Sequence, residues 1–126
     1  MKLSNGKMEE YLNGLDACKS ASGFPGMMIG IVHRRIANEI KEYLIEKQKI
    51  FEKYGKQNES GTWVITRDSK GINEAMKELF DISQIESEID IPQFLEEDFV
   101  EKFQDNALNA QNYDTLYEIF VRKEKE

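Results

Sequence analysis

A chain of 126 residues with one cysteine, Cys18, and a formal charge of −7 from 17 basic and 24 acidic side chains is one domain's worth of polypeptide that needs no disulfide to fold, as suits a reducing compartment. The acidic balance disfavours nonspecific attraction to nucleic acid or to anionic membrane. With a single histidine and a single cysteine, a zinc centre of four Cys/His ligands is excluded, and so is any serine triad that does not use His33.

The start, Met-Lys-Leu-Ser-Asn-Gly, lacks an apolar signal core. The longest weakly polar run, residues 21–32, holds three glycines and a proline and is too short to cross a bilayer. A cytosolic protein is expected. The first helix is predicted over residues 7–19, where Met8, Tyr11, Leu12, Leu15 and Cys18 recur at spacings of three and four, with Ser4 or Asn5 as its cap. Gly14 weakens that helix by about 1 kcal/mol relative to alanine, so it relies on tertiary packing. Residues 20–26 then read as a turn.

A long helix is predicted over 27–54. Ile29, Val32, Ile36, Ile40, Tyr43, Leu44, Ile50, Phe51 and Tyr54 form its apolar stripe, Gly55 stops it, and Lys49, Lys53 and Lys56 complement its dipole. Lys47 falls inside the stripe, where it either snorkels or lines a polar pocket. After a polar turn at 57–61, the run Thr62, Trp63, Val64, Ile65 and Thr66 reads as a short strand. Asp68 or Ser69 is expected to cap the next helix, whose apolar positions are Ile72, Ala75, Met76, Leu79 and Phe80. Ile85, Ser87, Ile89 and Ile91 then alternate with Glu86, Glu88 and Asp90 until Pro92, a strand with one acidic face.

The tail reads as a helix over 95–104 with Phe99, Val100 and Phe103, a polar joint, and a helix capped by Asp114 through Leu116, Tyr117 and Phe120. The alternation of Tyr117, Ile119 and Val121 leaves a closing strand as the other choice. The predicted fold is therefore α+β and mainly helical: a long central amphipathic helix packed with shorter helices and a small sheet of two or three strands. Whether the two strands pair with each other is open at this level.

No catalytic fingerprint appears. Glu96 with Asp98, or Glu86 with Glu88 and Asp90, are commonplace groupings in an acidic chain and fit no EF-hand loop, so neither an enzyme, a metal nor a cofactor is expected. Two binding surfaces stand out. The first is cationic. Phe24 and Gly26 open the long helix, a place where free amides suit an anion, and His33, Arg34 and Arg35 follow. On a helical wheel these three converge only between subunits, which points to a homo-oligomer. Trp63 beside Arg67 and Lys70 adds a stacking surface with phosphate contacts.

The second surface is acidic. The first 56 residues carry +3 and the remaining 70 carry −10, and residues 81–105 hold nine carboxylates against Lys102 alone. Glu86, Glu88, Glu96 and Glu97 there suit a basic protein partner. The bland alternatives are a capped helix entry, a core tryptophan and a solvated acidic face.

The opening Lys-Leu-Ser-Asn-Gly, the helix end Ile-Phe-Glu-Lys-Tyr-Gly-Lys at 50–56 and the acidic alternation at 85–91 together resemble small proteins of phages and prophages of Gram-positive bacteria. The resemblance implies a non-enzymatic protein acting in the cytoplasm of an infected or lysogenic host. Its expected role is counter-defence, either by sequestering a nucleotide-derived immune signal of the cyclic-nucleotide or ADP-ribose type, or by inhibiting a host effector through the acidic surface. The alternative is a structural, assembly or adaptor protein acting through protein contacts.

Overall fold

Caps and close backbone approaches decide where the elements begin. In the computed structural model, which describes residues 1–123, strand β1 (Lys2–Ser4) runs directly into α1 (Asn5–Asp16), and the Ser4 hydroxyl accepts the Lys7 amide at 3.1 Å as the N-cap. Cys18 lies in the turn after α1 and is fully buried.

The single long helix expected over 27–54 starts earlier and is interrupted. It comprises α2 (Gly23–Glu39) and α3 (Lys41–Tyr54), joined at Ile40 with φ −96° and ψ 10°. The start moves back because Pro25 sits in the first turn, where a missing amide costs nothing. At the joint, Ile40 still donates to Ile36 O at 3.0 Å and accepts from Leu44 N at 2.9 Å. What the break achieves is two-sided packing: α2 lies on α1, α3 lies on α4, and Ile40 between them is completely buried.

Two ribbons replace the single sheet. Strands β2 (Lys56–Gln57) and β3 (Trp63–Val64) pair antiparallel, so the supposed turn at 57–61 supplies part of a strand. Gly55 is required there because a Cβ would strike the Val64 carbonyl oxygen. Helix α4 (Ile72–Ser83) is entered from Gly71 in the left-handed region, φ 78°, not from Asp68 or Ser69; the Ser69 hydroxyl instead accepts the Thr66 amide at 2.8 Å. Strand β4 (Glu86–Glu88) pairs antiparallel with β1, matching Lys2 to Glu88, Leu3 to Ser87 and Ser4 to Glu86. The two predicted strands therefore do not pair with each other.

Helices α5 (Glu96–Lys102) and α6 (Ala110–Phe120) complete the chain. Asn109 and Asn112 form a reciprocal capping box at 2.8 and 3.0 Å, displacing Asp114 from the expected cap. The closing segment is thus helical, and only Val121 makes a strand-like bridge, beside Phe94.

The core lies between α1, α2 and α6, where Met8, Leu15, Val32, Ile36, Leu116 and Phe120 are fully buried. Phe103 joins it, surrounded by Phe24, Phe94, Phe99 and Phe120 at ring separations of 4.6 to 5.5 Å. Among the described residues, no helix is long and apolar enough to cross a membrane. The α+β, mainly helical expectation holds.

Candidate functional site

The helix entry singled out for an anion has a carboxylate of the chain beside it, bonded to the N-cap residue Ser22 rather than to the first-turn amides, in a cleft that Gly23, Phe24, Lys102 and Asp105 line. Asp105 Oδ2 accepts the Ser22 amide at 2.7 Å and the Ser22 hydroxyl at 3.2 Å, while its Oδ1 accepts the Ala107 amide at 2.8 Å. These donors, the Ser22 amide foremost, hold the Asp105 carboxyl below its ordinary range. Gly26 is explained by its own chain: a Cβ would sit 2.6 Å from Ala21 O. Phe24 packs edge-on against Phe94 and Phe103, with the Lys102 ammonium 5.5 Å from its ring centre.

The remaining cationic residues are dispersed. His33 Nε2 lies 2.8 Å from Asp16 Oδ1, and Asp16 is held below the ordinary carboxylate range mainly by the Lys19 ammonium at 2.9 Å, with His33 adding to it. Arg35 donates to Asp90 O at 3.0 Å and lies 3.4 Å from its carboxylate. Arg34 is exposed on α2. Trp63 is half-buried opposite Gln57, and Arg67 is exposed in the loop that follows. Beside that loop, a cleft of about 520 Å³ between the end of α3 and the start of α4 brings Lys53, Lys56 and Lys70 together with Asp68. The structure thus separates Phe24 and Gly26 from Trp63 and Arg67, and gathers three lysines near the latter that spacing alone does not bring together.

The acidic residues also divide. Glu96 and Glu97 occupy the first turn of α5, where carboxylates complement the helix dipole, and line a cleft with Leu95, Tyr117 and Arg122. Glu86 and Glu88 are exposed on β4, and Glu88 accepts the amine of Met1 at 2.9 Å.

Next to β4 lies a feature that combines apolar surface with negative charge. A groove of about 260 Å³ lies where the α2–α3 joint and α3 meet the end of α4 and the β1–β4 ribbon, lined by Tyr43, Ile82 and Ile85 together with Glu39, Glu42 and Glu46. Asn5 closes its base, donating to Ile82 O at 3.0 Å. Glu46 pairs with Lys49 at 2.9 Å, and Glu42 adds to the negative field on that ammonium; among the described residues, neither Glu39 nor Glu42 forms a direct ion pair within 4 Å.

Tyr43 is fixed from behind. Its hydroxyl donates to Glu9 Oε1 at 3.0 Å, and Lys47 grips both Glu9 oxygens at 2.9 and 2.8 Å. Burial first, and then the Glu9 carboxylate, push the phenol up to about 12. Lys47, the cation inside the apolar stripe, therefore serves to anchor α3 on α1.

More apolar surface continues on α4. Its strongly amphipathic sequence buries only Ala75 fully, leaving Met76 47% and Phe80 62% exposed, and Ile85 beyond it is 57% exposed. Glu39, Glu42 and Glu46 were legible as an acidic row at helical spacing flanking the stripe. Their meeting with Ile82 and Ile85 was not, because it depends on how α4 and β4 fold back onto α3.

Comparison with family models, with curated proteins and with solved structures finds no match to this chain. Among the described residues, no group of three or more His, Cys, Asp or Glu side chains is placed to hold a metal ion.

Proposed function

We propose that this protein is a non-enzymatic binding protein of the phage type its sequence resembles, and that it inhibits or recruits a basic host protein in the bacterial cytoplasm through the acidic groove. The observation that carries this reading is the apolar lining of Tyr43, Ile82 and Ile85 beside carboxylates at Glu39 and Glu42 that form no direct ion pair among the described residues. An apolar anchor in a small pocket supplies affinity, and a charged rim supplies orientation and selects against acidic partners. A volume of about 260 Å³ suits one or two aliphatic side chains. An acidic chain that exposes Phe80 and Ile85 carries apolar surface of the kind that marks association sites.

The test is titration of the protein with a Lys-rich peptide carrying leucine, at low salt. Reversing two charges, Glu39→Lys with Glu42→Lys, should weaken binding by at least about tenfold, or 1.4 kcal/mol, with circular dichroism unchanged. Equal affinity in wild type and variant overturns the reading.

A second reading, sequestration of a nucleotide-type signal, is favoured by the basic cleft of Lys53, Lys56 and Lys70, with Arg67 and Trp63 nearby in the chain. Inhibition and sequestration can coexist at separate places. A ligand at a hundredfold excess over its dissociation constant adds about 2.7 kcal/mol, which raises the melting midpoint by roughly 10 °C in a domain of this size. A flat response across cyclic nucleotides, cyclic ADP-ribose isomers and nucleoside diphosphates removes this second reading.

A further inference from the structure

We propose that the partner's segment docks on this protein as an added β-strand, pairing with the outer edge of β4 at Glu86 and Glu88. The proposal deepens the groove reading and rests on it. Its foundation is the register of the ribbon. Asn5 N donates to Ile85 O at 2.9 Å, Ile89 N donates to Met1 O at 2.9 Å, and Leu3 stands opposite Ser87 between them. In an antiparallel pair, alternate residues turn both main-chain groups toward the partner strand. Ile85, Ser87 and Ile89 are thus engaged with β1, while Glu86 and Glu88 turn their N–H and C=O groups the other way. The ribbon has two strands, so among the described residues no third strand takes those groups.

Such an edge is a template for strand addition unless it is blocked. Neither proline nor lysine interrupts residues 85–89; the edge is short and bears the like charges of Glu86 and Glu88, which repel an acidic strand and admit a basic one. Arg35 marks one end of the open stretch by donating to Asp90 O at 3.0 Å.

Side-chain alternation then fixes the chemistry of the occupant. Ile85 and Ser87 line the groove with Glu39 and Glu42, whereas Glu86 and Glu88 lie on the opposite face of the ribbon. A strand laid along β4 presents every second side chain over the groove and the others beside Glu86 and Glu88. The segment that fits is a short extended stretch of a basic protein in which Lys or Arg alternates with Val, Ile or Leu. The other outer edge, that of β1, is the poorer match. It bears Lys2, and the Ser4 hydroxyl is committed to capping α1.

The probe is an acetylated and amidated Lys-Val-Lys-Ile-Lys-Val peptide, titrated into the full chain, with two further versions N-methylated on one or the other alternate set of its backbone amides. Expected is binding of the parent, slowed hydrogen exchange at the Glu86 and Glu88 amides, and a loss of at least about tenfold for one methylated version only, because an added strand uses a single edge. If the parent binds and both methylated versions bind equally well, strand addition is overturned while the groove stands. If the parent itself fails to bind, the groove reading falls and this proposal with it.

Discussion

At Asp105, one carboxylate accepts the amide of an N-cap residue, the task that the third-position side chain performs in a capping box. Ser22 occupies the N-cap of α2 but accepts no amide on its own hydroxyl; its amide and hydroxyl instead go to Asp105 from 83 residues away. Asp105→Asn keeps the shape and removes the charge, so a lower melting midpoint is expected near neutral pH. Because the folded-state pKa is depressed, this contribution is present above the ordinary aspartate range and is lost as the pH falls through the folded value. Wild type and variant should therefore converge in stability in acid, as thermal melts across that range would show.

Tyr43 has the opposite sign. Its phenol is raised from 10 to about 12, so the stability it contributes is full below pH 10 and is lost as the pH rises through 12. Tyr43→Phe should flatten that alkaline loss, read by denaturant titration at stepped pH. A tyrosinate absorbance titration should lose one late phenol in the variant, while Tyr11, also raised by burial, still titrates late in both.

Between elements, α1 and α6 approach closely at Gly14. A Cβ on Gly14 would lie 2.6 Å from the Thr115 Cγ2 methyl, so the residue that weakens α1 as an isolated helix is the one that admits α6. Gly14→Ala gains about 1 kcal/mol of helix propensity and incurs an overpacking cost of about 1–3 kcal/mol, for a net loss. Combined with Thr115→Ser, which removes the offending methyl, the same alanine should become neutral or stabilising. A double-mutant cycle in urea measures the coupling. The interrupted long helix belongs to this scale as well: the apolar stripe places Ile36, Ile40 and Tyr43 correctly in the core, yet it contains no sign that α2 and α3 answer to different partners.

Over the whole molecule, the phenylalanine cluster joins α2, the segment before α5, α5 itself and α6 into the same core as α1. Phe103 is fully buried at its centre, and Phe103→Ala should cost about 3–5 kcal/mol. If the chain melts as one unit, far-ultraviolet circular dichroism and the emission of Trp63, which lies on the β2–β3 ribbon away from the cluster, will shift together. Separate transitions would divide the molecule into two cooperative parts.

By itself, the sequence determined that this chain is mainly helical, which faces of α1 and α2 turn inward, and that its acidic half carries a strand with carboxylates on one side; on α4 the apolar positions Met76 and Phe80 stay exposed. Periodicity and local composition act over a few residues, and they are readable without a fold. Caps and breaks were less legible. Gly71 in place of Asp68 or Ser69, Asn109 in place of Asp114, and the joint at Ile40 each follow from a distant contact or a reciprocal pairing that outweighs local preference.

Only the tertiary structure decided the site. It placed Asp105 beside the predicted anion-binding helix entry, dispersed His33, Arg34 and Arg35, and brought Glu39 and Glu42 opposite Ile82 and Ile85. The physical reason is that binding surfaces arise from side chains far apart in the chain, and their convergence is set by which elements pack together rather than by any spacing along the sequence.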